Sequence, residues 1–113
     1  MSVQKKESNG ERAVRLYLEN HDIDYVQGKW FKDCRDVNPL PFDFYLPNEN
    51  KMIEFDGEQH FREKHFFAYD FEKNQRHDAI KNKYCEENNI SLIRIPYWKI
   101  YKVNDILDEF LVS

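Results

Sequence analysis

The sequence predicts an α/β domain built on a mixed β-sheet, and three observations predict it. A hairpin pattern stands near the middle, PFDFYLPNENKMIEFD, with two apolar runs either side of the turn Pro47-Asn48-Glu49-Asn50. A further strand pattern, Ser91-Leu92-Ile93-Arg94-Ile95, follows only after a long helical stretch, as a crossover connection requires. Helical periodicity also opens and closes the chain, giving the order helix, strands, helix, strand, helix.

Met1 to Glu7 is polar and expected to be frayed. Ser8 then has the character of a helix N-cap, because Glu11 three residues on completes a capping-box pattern. Behind it Val14, Tyr17 and Leu18 recur at helical spacing, with Ala13 and Leu16 alongside, which carries the helix to about Asn20 or Asp22. From Ile23 to Phe31 the strand formers Tyr25, Val26, Trp30 and Phe31 are interrupted by Gly28, which predicts one bent strand or two short ones. Pro39 and Pro41 force an extended approach to the hairpin. Its strands are Phe42 to Leu46 and Met52 to Asp56. Phe61 to Phe71 reads as a loop leading into a helix from about Asp70 to Asn88, with Phe71, Ala79, Ile80 and Tyr84 inward. After the strand at Ser91 to Ile95, Tyr97 to Tyr101 is a connector. The last helix runs from Val103 to Val112, with Ile106, Leu107, Phe110 and Leu111 inward.

The 113 residues suit one domain with one core. A net charge of -4 does not advertise a nucleic-acid binder, but acids gathered at a metal site lower the net charge without making the binding face acidic. Cys34 and Cys85 are far apart and lack metal-ligand spacing, so they are expected to be reduced thiols of a cytosolic protein. No secretory leader or membrane span is expected, which makes the expected location cytoplasmic.

The chemistry gathers on the hairpin. Glu54 and Asp56 alternate with apolar residues, so they share one face of their strand with Met52. Carboxylates on a hydrophobic strand are costly unless something pairs with them. Pairing the strands around Pro47-Asn50 brings Asp43 opposite Glu54, where facing residues lie roughly 5 Å apart. Two like charges so placed call for a cation or a shared proton, and Mg²⁺ commonly takes one or two carboxylates plus a substrate phosphate. Gly57 permits a bend, and Gln59 and His60 follow with an amide and an imidazole. Carboxylates, imidazole and amide around a cation suit phosphodiester hydrolysis.

The run Asp43-Phe44-Tyr45, then Ile53-Glu54-Phe55-Asp56-Gly57-Glu58-Gln59-His60, then Arg76-His77-Asp78 with Lys81, then Leu92-Ile93-Arg94-Ile95, resembles the PD-(D/E)XK nuclease superfamily. It is most similar to the small branch that holds very-short-patch repair endonucleases and some homing endonucleases. The similarity runs from Glu11 to the last helix. It implies a restriction-endonuclease-like three-layer core, a central mixed sheet flanked by helices. It also implies a DNA endonuclease or nickase of phage or bacterial origin that uses Mg²⁺ or Mn²⁺. Asp43 and Glu54 are then the metal ligands, with the Phe55 carbonyl a third. Glu11 is the first-helix acid acting through metal-bound water, His60 a general acid or base with Gln59 flanking the site, and Asp78 and Lys81 lie close by on the second long helix. Asp56 stands where the family has its lysine. Either Lys81, Arg94 or a second cation then supplies the positive charge, or His60 moves the proton, or activity is lost.

Plainer readings stand beside these. Glu11 alone is a capping-box residue, Asp43 a strand-end acid, and Asp78 with Lys81 an i, i+3 surface pair. The aromatics of Phe61 to Phe71 suit packing better than base stacking, and Trp30 and Trp98 belong to the core or its rim. Lys29, Lys32, Arg35, Lys64, Lys73, Arg76 and Lys83 are the candidates for phosphate contacts, which position a duplex without reading bases. No base-reading module is visible, so target choice is expected to come from a homodimer or a partner protein. The alternative to an enzyme is a catalytically silent nuclease-fold module that binds nucleic acid or a protein.

Overall fold

The computed structural model describes residues 7–58 and 68–111, the side chains of 68–70 excepted. Gln59, His60, Lys64 and most of the aromatic stretch from Phe61 lie outside the described residues, as do residues 1–6 of the end expected to fray; Glu7, its last residue, is instead held by Arg15 at 2.9 Å.

Helix α1, Asn9–Asn20, starts where its cap dictates. The Ser8 side chain accepts from the Glu11 N–H at 3.1 Å, and Glu11 Oε1 accepts from the Ser8 N–H at 3.0 Å. Strand β1, Val26–Lys29, is shorter than the stretch from Ile23 to Phe31. Its bend falls at Gly28, whose φ of 70° is one that a side chain rarely adopts. Strands β2, Phe42–Leu46, and β3, Lys51–Asp56, form the expected hairpin, with Asn50 at a φ of 53° in the turn. Helix α2, Ala68–Glu87, carries the chain back to β4, Ser91–Pro96. A 3-10 segment, Tyr97–Lys102, then leads into helix α3, Val103–Leu111.

The sheet order is β1-β2-β3-β4. The first three strands pair antiparallel, whereas β3 and β4 pair parallel, so the sheet is mixed and α2 is its crossover. Alternation along the strands sends side chains to two cores. One holds Val14, Tyr17 and Leu18 of α1 and Val103 and Leu107 of α3 against Phe44, Leu46, Ile53 and Ile95. The other holds Cys85 of α2 with Cys34, Phe42, Met52 and Ile90, flanked by Ile80 and Tyr84. Helices therefore cover the sheet from both sides. Both cysteines are buried free thiols.

One expectation needs correction and one narrows. Ala79 is exposed, because the stripe of α2 that meets the sheet passes through Ile80, Tyr84 and Cys85. Trp30 and Trp98, read as core or rim, are each 57% exposed, which excludes the core. The first turn of α1 lies on β3 so closely that a Cβ at Gly10 would fall 2.0 Å from the Phe55 ring. Only glycine allows that approach, and the approach brings Glu11 beside the end of β3. No helix among the described residues is long and apolar enough to cross a membrane.

Candidate functional site

A cleft of about 710 Å³ opens where the ends of β2 and β3 meet α2, the start of α1 and the bend of β1. Glu7, Glu11, Asp43, Glu54, Asp56 and Asp78 all line it, and among the described residues Lys81 is the only lysine or arginine that does. Such a wall repels a phosphate diester until a cation offsets it.

Asp43 and Glu54 form its centre. The hairpin register, Phe44↔Ile53, sets Asp43 opposite Glu54 one step further on. There side chains take over from the ladder. The Asp43 N–H donates to Glu54 Oε2 at 2.7 Å, and the Phe55 N–H donates to Asp43 Oδ2 at 2.8 Å. Each carboxylate thus caps a backbone donor of the opposite strand. The strand geometry changes at the same point, since Phe42 and Phe44, two apart, pack into different cores. Burial pushes the Asp43 carboxyl up to about 7, and the negative charge of Glu54 adds to the rise. The Phe55 N–H opposes that shift, and the charge of Glu11 adds to it.

Glu54 is only 3% exposed. Its Oε1 accepts from Lys81 Nζ at 2.5 Å, and the same ammonium lies 5.2 Å from the centre of the Phe42 ring. Lys81 therefore brings positive charge from α2 to the carboxylate pair, although the strand itself carries Asp56 rather than a basic residue at that position. Arg94 is paired with Glu54 in the parallel register, yet its guanidinium turns elsewhere. It lies 3.4 Å from Asp56 and 3.3 Å from Asp78, and it donates to Asn82 Oδ1 at 3.1 Å.

The Glu11 carboxylate closes the capping box, and the residue also lines the cleft. Of the expected phosphate contacts, Lys32, Arg35, Lys73, Arg76 and Lys83 are exposed, and Lys29 is half-buried over the Phe31 ring. None of these six lines the cleft, and Arg76 is held by Asp36 at 3.1 Å. His77 was not singled out as a site residue, yet it lines the cleft one turn before Lys81. The spacing of Asn74, His77, Asp78 and Lys81, which puts them on one helical face, was the signal that would have found it.

A hard divalent cation suits these donors. Asp43 and Glu54 give carboxylate oxygens and Phe55 a carbonyl, and a cation would relieve the repulsion that raises the Asp43 carboxyl. Among the described residues no group of three or more acidic, histidine or cysteine side chains gathers tightly enough to hold a metal by itself. Water and a substrate phosphate would complete such a shell, as they commonly do for Mg²⁺.

The chain is similar to proteins of two invertebrate viruses. It is 31% identical over 123 positions to "Uncharacterized protein 307L" of Invertebrate iridescent virus 6, covering 81% of this chain and 57% of that protein. It is 33% identical over 106 positions to "Uncharacterized protein 033L" of Invertebrate iridescent virus 3, covering 88% and 54% respectively. The chain thus spans a little over half the length of these curated relatives. No family model matches it, and no solved structure matches it.

Proposed function

We propose that the chain is a divalent-metal-dependent DNA endonuclease or nickase on a PD-(D/E)XK-like scaffold, acting in the cytosol of a host cell. One observation carries this reading: Asp43 and Glu54 face each other in a cleft walled by carboxylates, with the Asp43 carboxyl pushed up to about 7 and Lys81 alongside. Perturbed, buried, mutually repelling acids in a cleft are the arrangement by which active sites tune their groups. Asp43, Glu54 and the Phe55 carbonyl would hold Mg²⁺ or Mn²⁺, which when bound offsets phosphate charge and makes a water more acidic.

The chain's own residues do the rest. The Phe55 N–H and Lys81 orient the two carboxylates. Lys81 supplies the positive charge that Asp56 cannot give, and directs it toward a phosphate seated against Glu54. Arg94 neutralises Asp56 and Asp78 and so keeps them from adding to the repulsion. Exposed Lys32, Arg35, Lys73 and Lys83 lie available to flanking phosphates.

The test is nicking of a supercoiled plasmid with and without a chelator. Asp43→Ala and Glu54→Ala should each lower the rate at least about a hundredfold, the scale expected when a cation's charge stabilisation is lost. Activity that survives either change, or survives chelation, overturns the reading.

A second reading has one observation of its own in favour: Glu54 already uses both oxygens, one on the Asp43 N–H and one on Lys81. A silent nucleic-acid or protein-binding module would keep that arrangement. It predicts no saturable Mn²⁺ site by calorimetry, whereas the enzyme predicts one that Asp43→Ala removes.

A further inference from the structure

We propose that His77, held by Asp36, is the general base that takes the proton of the attacking water; this rests on the proposed endonuclease activity. Asp36 lies in the segment between β1 and β2, and His77 lies on the cleft side of α2. His77 Nε2 is 2.9 Å from Asp36 Oδ2, and Arg76 Nη2 approaches the same oxygen at 3.1 Å. Those two partners, His77 foremost, hold the Asp36 carboxyl below the usual carboxylate range, so it is an acceptor only. In the neutral imidazole, the form a base must take, Nε2 then carries the hydrogen and donates it, which leaves Nδ1 with its lone pair.

Nδ1 has no hydrogen-bond partner among the described residues, and no buried side-chain nitrogen or oxygen among them lacks one. Nδ1 is therefore open to solvent, and the residue lines the cleft that holds Asp43, Glu54 and Lys81. A carboxylate, an imidazole with one tautomer selected and an open second nitrogen make a base of the kind that activates a nucleophile. In the step, the water oxygen bonds to phosphorus as the bond to the leaving oxygen breaks. The water's proton passes to His77 Nδ1, the leaving oxygen takes a proton from bulk water, and His77 then returns its own to solvent. The other polar groups lining that space, on α2, on the sheet and at the start of α1, are amides, a hydroxyl, a lysine and acids, so no second imidazole among the described cleft residues competes for the role.

Two measurements test it. Long-range ¹H–¹⁵N NMR of the native protein should show His77 with its hydrogen on Nε2, and Asp36→Asn should weaken that preference; hydrogen on Nδ1 in the native protein overturns the proposal whatever the activity. In plasmid nicking with Mn²⁺, His77→Ala should lower turnover at least about a hundredfold, and added imidazole should restore part of it. His77→Gln, closer in size, should show the same loss if His77→Ala folds poorly. If the native protein nicks and the His77 variants keep at least half its rate, or lose it without rescue, the proposal falls and the endonuclease reading stands. If the native protein does not nick at all, both fall.

Discussion

Two ion-pair clusters, each built on an acid, sit two residues apart on the same face of β3, and they are settled differently. At Asp56 the compensation is broad: Arg94 spans Asp56, Asp78 and Asn82 from the neighbouring strand. At Glu54 it is narrow, because one ammonium faces two carboxylates and the acid it does not touch directly, Asp43, has its carboxyl pushed up to about 7. Both acids on β3 are nearly inaccessible, Glu54 at 3% and Asp56 at 6%. Burial alone does not distinguish them; direct contact does, because Arg94 reaches both Asp56 and Asp78 whereas Lys81 is bonded to Glu54 and leaves Asp43 to face its charge. Acids that each touch a cation hold a fold together, whereas an acid raised by a neighbouring carboxylate is poised to take up a cation.

The largest effect should come from breaking the Arg94 cluster. Arg94→Ala takes the guanidinium away from the buried Asp56 and should cost about 3 kcal/mol in chemical denaturation. A loss near zero would mean that the two clusters do not differ in the way described.

The cluster at Asp43 should respond with the opposite sign. Asp43 titrates near 7 when folded and near its ordinary 3.8 when unfolded. Between those values the folded chain holds the extra proton, so stability without metal falls as pH rises from about 4 to about 7 and then levels off. Asp43→Asn removes that slope and should raise stability at pH 8 by about 1–2 kcal/mol, while abolishing Mn²⁺ binding. Parallel stability curves for the two proteins across this range would remove the distinction between the clusters. Protons also compete with the cation, so Mn²⁺ should bind the native protein more tightly at pH 8 than at pH 6.

The smallest effect lies at the edge of the cleft. Ser8→Ala removes the N-cap that fixes Glu11 and should cost about 1 kcal/mol of stability. It should leave the Asp56–Arg94 cluster unchanged, which the Arg94 side-chain NMR signals would report.

The elements were legible because local chemistry set them. Ser8 and Glu11 wrote the start of α1, and Pro47 to Asn50 fixed the hairpin register that brings Asp43 opposite Glu54. The face shared by Met52, Glu54 and Asp56 followed from period two alone, and all three are buried. What the sequence left open was decided by tertiary reach. Lys81 and Arg94 were equal candidates for the missing charge until α2 and β4 took their places, because a long side chain's partner depends on packing angles rather than spacing. The same holds for Asp36 and His77, which lie on different elements and meet only once α2 crosses the sheet. Ala79 was misplaced because α2 has weak amphipathic contrast: polar Asn74, His77 and Lys81 share the face that a simple apolar stripe would occupy.

The exchange of backbone donors between Asp43 and Glu54 gives this molecule two built-in reporters. The N–H groups of Asp43 and Phe55 end on carboxylates instead of peptide carbonyls. Their resonances should therefore follow any change in the charge or ligation of those acids. One two-dimensional amide spectrum, recorded through a titration, would register occupancy of the cleft without a substrate, a chromophore or a label.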